Sequence, residues 1–170
     1  DDVTADIVFR TPGMHPCNPA LELLRQKGAA VTSEMEVFFE VCPAKIIAIT
    51  GSDGKTTTTT LVHKILTESG YKCHLGGNIG NPLLCNTGDI SPSDLVVVEL
   101  SSFQLHTMKK SADVAVITNI TPNHLDVHNS YEEYIEYIFR NEENAVELIK
   151  EHNEKYNLKE IKQILIKLSN

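Results

Sequence analysis

Lys45-Ile-Ile-Ala-Ile-Thr-Gly-Ser-Asp-Gly-Lys-Thr-Thr-Thr-Thr-Thr-Leu-Val-His-Lys-Ile-Leu66 is the stretch that decides the fold. Ile46 to Thr50 are apolar and largely β-branched, the composition of a strand buried on both faces. Gly51-Ser52-Asp53-Gly54 then turns the chain into a Thr-rich helical run that begins at Lys55. The order is strand, phosphate loop, helix. Two glycines allow φ angles and close approaches that a Cβ would forbid, so N–H groups of Gly51 to Thr57 can face one anion at the positive end of the helix. Lys55 adds charge for the β- and γ-phosphates, and the Thr56 hydroxyl stands where a phosphate loop holds Mg²⁺. The full G-x-x-x-x-G-K-[ST] pattern would place glycine at Ile49, so the loop is a shortened variant. ATP and Mg²⁺ are the expected ligands.

Working outward, Leu95-Val-Val-Val-Glu99 is the most strand-like run in the chain and ends in a carboxylate. A glutamate at the end of a buried strand is costly unless a cation meets it, and nucleotide-bound Mg²⁺ is such a cation. A helix cap or a salt bridge is the other reading of Glu99. Gly76-Gly77-Asn78-Ile79-Gly80 is a second glycine-rich turn after a strand expected over Tyr71 to Leu75. Ligands gather at the carboxyl edge of an open parallel sheet, which would bring this turn beside the phosphate loop. Asn78 either offers its amide to a substrate or serves a tight loop. Val114 to Thr118 form a further expected strand, followed by the polar loop Asn119 to Asp126. There His124 is either a metal or phosphate ligand or a solvated loop histidine.

Toward the amino end, Asp6 to Phe9 is a short apolar run and Arg10-Thr-Pro-Gly13 a turn. Pro16 to Pro19 starts a helix that stops at Gly28, Ala30 to Thr32 is a strand, and Glu34 to Glu40 a short helix ended by Cys42-Pro43. After the phosphate loop a helix is expected from Lys55 to Ser69. From Tyr131 the pattern is helical again, with another helix expected over Leu158 to Leu168. The fold class is α/β, a mostly parallel sheet with flanking helices and a phosphate loop, preceded by the end of a Rossmann-like domain.

The 170 residues, 41 % hydrophobic and 22 % charged, allow one well-buried α/β domain or one domain with pieces of others attached. A net charge of −8 and no basic stripe argue against nucleic acid. Lys159, Lys162 and Lys167 alternate with apolar residues as on a solvated helix face. Cys17, Cys42, Cys73 and Cys85 lie far apart without a C-x-x-C pair, so free and mostly buried thiols are expected. No long apolar run or cationic leader is visible, so no membrane partner is expected, and a cytoplasmic location follows by default.

Thr50-Gly-Ser-Asp-Gly-Lys-Thr-Thr57, Gly76-Gly-Asn-Ile-Gly80, Glu99-Leu-Ser-Ser-Phe-Gln-Leu105 and Asn119-Ile-Thr-Pro-Asn-His-Leu-Asp126 together resemble the Mur ligases of peptidoglycan precursor synthesis. Arg10 to Gly13 and Thr32-Ser-Glu-Met-Glu36 also match the end of a first domain in that family. The Gly76–Gly80 and Ser101–Leu105 motifs are most similar to the D-glutamate-adding branch. The resemblance implies an ATP-dependent amide ligation, with D-glutamate joined to UDP-N-acetylmuramoyl-L-alanine through an acyl phosphate. It implies that Lys55 and His124 are catalytic and that Gly51, Ser52, Asp53, Gly54, Lys55, Thr56 and Thr57 hold the nucleotide. Thr56, Glu99 and His124 would hold Mg²⁺, and Gly13, Asn78 and Ser101 would meet the uridine-nucleotide substrate.

It further implies two domain portions. Residues 1–43 would end the uridine-nucleotide-binding domain and 44–140 would belong to the ATP-binding domain, with the carboxyl-terminal ligase domain absent; beyond the resemblance, 141–170 is the third part, a tail that the residue pattern alone reads as helical. Family members carry a carbamylated lysine downstream of the histidine that bridges toward the second metal. Here Tyr134-Ile135-Glu136 runs directly into Tyr137-Ile138-Phe139-Arg140. Two functions therefore stay open: a truncated ligase, expected as a monomer, or an inactive nucleotide-binding fragment.

Overall fold

The computed structural model describes residues 4–121 and the backbone of a strand at 164–167. The central sheet has five strands in the order β4-β5-β3-β6-β7. They are β3 (Lys45–Thr50), β4 (Cys73–Gly77), β5 (Leu95–Glu99), β6 (Val114–Ile117) and β7 (Ile164–Lys167). The first four in sequence run parallel, with Ile49 opposite both Glu99 and Val116, and Gly77 opposite Glu99. Their carboxyl ends share one edge, where the loops after β3, β4, β5 and β6 meet. A smaller parallel pair joins β1 (Ile7–Phe9) to β2 (Ala30–Thr32).

Alternation along the central strands loads both faces of the sheet. On one face Ile46, Ala48, Val96 and Val98 pack with Met35, Phe38 and Phe39 of α2 (Glu34–Val41), together with Leu83, Ile90 and Met108. On the other, Ile49, Val97 and Val116 meet Val62 and Leu66 of α3 (Lys55–Glu68). Valines 96 to 98 are completely buried, as a strand covered from both sides requires. Helix α1 (Pro19–Gln26) starts where Asn18 Oδ1 accepts the Ala20 N–H at 2.9 Å, and α2 starts on the Ser33 hydroxyl. On its polypeptide side α2 follows the smaller sheet, yet its apolar face belongs to the central core.

Several expectations need correction. The strand expected at Tyr71–Leu75 runs from Cys73 to Gly77, because Tyr71 completes the end of α3 instead. Its N–H donates to Leu66 O (3.1 Å) and the Gly70 N–H to Thr67 O (3.0 Å), with Gly70 at φ 91°, the paired bonds of a Schellman ending. The helix expected over Leu158–Leu168 is at 164–167 a strand antiparallel to β6, consistent with the β-rich run Ile-Leu-Ile and the open edge that β6 offers. The cysteines are free, but none is buried: Cys17 and Cys85 are exposed, and Cys42 and Cys73 lie between. A 3-10 turn at Leu84–Asp89 and the short helix α4 (Ser102–Leu105) were not expected. The helical pattern from Tyr131 and the Tyr134–Arg140 stretch lie outside the described residues.

Candidate functional site

The turn after β3 is pinned from beside by the loop after β6. Gly51 has φ 130°, and a Cβ there would collide with Thr118 Oγ1 and lie 2.8 Å from Asn119 O. Only glycine allows this approach. The Ser52 hydroxyl donates to Thr121 O and accepts from the Thr121 N–H, both at 2.9 Å. Asn119 Oδ1 accepts the Asp53 N–H at 3.0 Å, while its Nδ2 donates to Asp53 O at 2.8 Å. Thr118 Oγ1 donates to the same carbonyl at 2.6 Å.

This latch decides which backbone donors face a ligand. The N–H groups of Ser52 and Asp53 are engaged with Asn119. Helix α3 closes its first internal hydrogen bond from Thr58 N to Gly54 O (3.0 Å), so the amides of Lys55, Thr56 and Thr57 are the donors its first turn presents. Gly54 enters the helix in the left-handed region at φ 78°. The Lys55 ammonium donates to Gly51 O (2.7 Å) and Ser52 O (2.8 Å), lying across the loop. An ammonium has three donors, so these two bonds leave one for an anion. Thr56 and Thr57 are exposed on this turn.

Glu99 ends β5, one strand over. It is 2 % exposed and sits opposite Ile49, two residues before Gly51. Its Oε1 accepts from Asn78 Nδ2 at 3.2 Å, and its backbone carbonyl accepts the Asn78 N–H at 2.8 Å. Oε2 has no hydrogen-bond partner among the described residues. The helix-cap alternative does not hold, since Ser101 caps α4. The positive φ angles of the second glycine turn fall on Gly77 (95°) and Gly80 (78°), leaving Asn78 to present its side chain. A Cβ on Gly77 would run into Glu99 O and stand 2.9 Å from Glu99 N, so this glycine is what lets Asn78 reach the carboxylate.

A buried carboxylate oxygen without a partner fits a cation. Among the described residues no three His, Cys, Asp or Glu side chains gather as a metal cluster. A carboxylate beside a threonine-bearing phosphate loop has donors of the kind that suit Mg²⁺ shared with a nucleotide. His124 lies outside the described residues.

A cavity of about 340 Å³ collects Gly13, Gly51, Lys55, Asn78 and Ser101. Three of these come from loops that follow different strands of the central sheet. Ser101 also forms a capping box: its N–H and Oγ both donate to Gln104 Oε1 (2.9 and 3.0 Å), and its Oγ accepts from the Gln104 N–H (3.4 Å). Its hydroxyl proton is therefore committed, and what remains toward the cavity is an acceptor lone pair. Residue-by-residue reading missed Thr118, Asn119 and Thr121 as the latch, although a Thr-Asn run directly after a strand is a signal for loop-fixing side chains. It also missed the Ser101-x-x-Gln104 capping signature, which is legible in the sequence.

A parallel sheet with a strand–phosphate loop–helix unit and a buried carboxylate ending the adjacent strand defines the phosphate-loop class of α/β domains. The Mur ligase middle domain profile matches residues 49–164, and the chain belongs to that family. It is 65 % identical over 130 residues to UDP-N-acetylmuramoylalanine–D-glutamate ligase of Acetivibrio thermocellus, covering 76 % of this chain and 28 % of that protein. The same-named ligase of Ruminiclostridium cellulolyticum is 61 % identical over 131 residues, covering 77 % of this chain and 28 % of its own length. The chain thus spans just over a quarter of these relatives. Among solved structures, UDP-N-acetylmuramate–alanine ligase of Thermotoga maritima superposes with a TM-score of 0.51 at 26 % identity, covering 80 % of this chain and 33 % of that one. A UDP-N-acetylmuramoyl-L-alanyl-D-glutamate–2,6-diaminopimelate ligase gives 0.50 at 23 % identity over 70 % of this chain and 34 % of its own, a likeness of fold.

Proposed function

We propose that this chain supplies the ATP site of a ligase that adds D-glutamate to UDP-N-acetylmuramoyl-L-alanine in peptidoglycan precursor synthesis. The observation that carries the reading is the buried Oε2 of Glu99, without a partner among the described residues, beside a latched phosphate loop. The high identity to D-glutamate ligases supports the choice of substrates. Residues 1–43 would belong to the uridine-nucleotide unit and 44–140 to the ATP unit.

In this reading the first-turn amides of α3 and Lys55 hold the β- and γ-phosphates, and the fixed loop spares the site reorganisation as charge moves. Glu99 and Thr56 would hold Mg²⁺, which when bound neutralises charge on the phosphoryl group being transferred. Gly13, Asn78 and Ser101 would line the uridine-nucleotide side, where the Ser101 lone pair suits an N–H or O–H of the substrate. The substrate carboxylate attacks the γ-phosphorus and ADP leaves. The D-glutamate amine then attacks the acyl carbon of the resulting acyl phosphate, releasing phosphate and one proton. His124 is proposed to support a second cation. A cytoplasmic location follows from these substrates, and among the described residues no helix is long and apolar enough to cross a membrane.

Calorimetric titration with ATP and Mg²⁺ tests the site directly. Lys55→Ala is expected to weaken binding by roughly 1.5–3 kcal/mol, the range for hydrogen bonds to a charged group. Equal affinity of the variant and the unmodified chain would remove Lys55 from the site and with it the phosphate-loop reading.

A further inference from the structure

Arg10 is 4 % exposed, at the carboxyl end of β1, in a position where an exposed turn would be the ordinary outcome of Arg-Thr-Pro-Gly. Its Nη1 donates to Met14 O at 2.9 Å, closing the turn that carries Pro12 and Gly13. Its Nη2 donates to Thr107 Oγ1 at 3.0 Å and to Phe103 O at 3.3 Å, on the segment that carries Ser101. The backbone of Arg10 is itself anchored, its N–H donating to Thr32 O at 2.7 Å. Pro12 and Gly13 form one wall of the 340 Å³ cavity, and Ser101, Ser102 and Phe103 form another. One guanidinium therefore ties together two walls separated by some ninety residues of sequence.

A buried cation bonded to neutral acceptors is an expensive way to tie two loops, and burial lowers the pKa of Arg10, opposed by Glu36. What it supplies is geometry: a rigid fork whose two nitrogens reach two walls at a fixed separation, which an ammonium on a flexible stem cannot do. We infer that Arg10 is a positioning residue that sets the spacing between the Gly13 and Ser101 walls of this cavity. For the identity of the ligand between those walls, a uridine nucleotide, the inference rests on the function proposed above; the clamp itself does not.

The test uses the full chain and two readouts. Amide hydrogen exchange is followed in residues 11–16 and 102–108, with Val96 to Val98 as the internal reference, in the unmodified chain and in Arg10→Ala, Arg10→Lys and Thr107→Val. Arg10→Ala is expected to speed exchange in both segments by about tenfold or more with the reference unchanged, and added methylguanidinium to restore it. Arg10→Lys is expected not to restore it, and Thr107→Val to give a smaller effect in the same direction. Unchanged exchange in both segments, equal loss of protection in the reference strand, or a lysine variant that matches the unmodified chain would overturn the clamp. In the second readout, Arg10→Ala is expected to weaken UDP binding by about tenfold while ATP binding stays within about twofold. Equal loss of both would also overturn it. No UDP binding by the unmodified chain would count against the substrate reading, and the exchange data would then decide the clamp. Should Arg10→Ala fail to fold, Arg10→Lys and Thr107→Val carry the same comparison.

Discussion

At the scale of single residues, Glu99 is an apparent defect that the proposed function turns into a cation ligand. A carboxylate at 2 % exposure, with one oxygen bonded to Asn78 and the other without a partner among the described residues, is a poor contributor to folding. Glu99→Gln keeps the shape and removes the charge. It is expected to abolish most of the enhancement that Mg²⁺ gives to ATP binding, by about tenfold or more, while the chain stays folded. Parallel ATP titrations with and without Mg²⁺ measure this, and an undiminished enhancement would make Glu99 a structural group. Lys55 raises a related point: its ammonium already bonds Gly51 O and Ser52 O, so binding a phosphate adds to or redirects contacts that hold the loop.

At the scale of elements, the site depends on how α2 and β4 are held to the sheet. Phe38 on α2 is fully buried among Ile46, Val96 and Val98, across from the face that α3 covers. Phe38→Ala is expected to cost about 3–5 kcal/mol in urea unfolding, the range for removing a core aromatic ring. A loss below about 1 kcal/mol would mean that α2 is not integral to the central core. Strand β4 is an edge, and a charge cluster fastens it at the end remote from the site. Asp94 Oδ2 accepts from His74 Nε2 (2.8 Å), from Lys72 Nζ (2.9 Å) and from the Ser91 N–H (3.1 Å).

These bonds, that of His74 foremost, hold the Asp94 carboxyl well below the usual carboxylate range. A group with a depressed folded pKa contributes stability that is present above its unfolded pKa and is lost as pH falls toward the folded value. Unfolding midpoints are therefore expected to decline as pH drops below about 4, and Asp94→Asn to flatten that decline. An unchanged acid slope in the variant would assign the effect to other carboxylates.

At the scale of the whole molecule, the chain spans 28 % of the length of its D-glutamate ligase relatives. Ligation needs acyl phosphate and amine held in attack geometry, an orientation worth about 7–11 kcal/mol of barrier. The 170 residues alone are expected to bind ATP without D-glutamate-dependent phosphate release when given both substrates. Release near 1 s⁻¹, an ordinary enzymatic rate, would show that they suffice. The sequence by itself determined the strand–loop–helix unit at 45–68, the run at Leu95–Glu99 and the parallel α/β class, because β-branched periodicity and glycine placement act over a few neighbouring residues. It also placed Lys55 at a helix start, Asn78 on a loop and Glu99 at a strand end, all along one sheet edge. Only the tertiary structure decided that Asn119 takes up the Ser52 and Asp53 amides, that Asn78 leaves one Glu99 oxygen open, that α2 joins the central core, and that Arg10 ties Met14 to Phe103. Each of these joins positions distant in sequence, and such contacts depend on strand order and register, which local propensity does not encode.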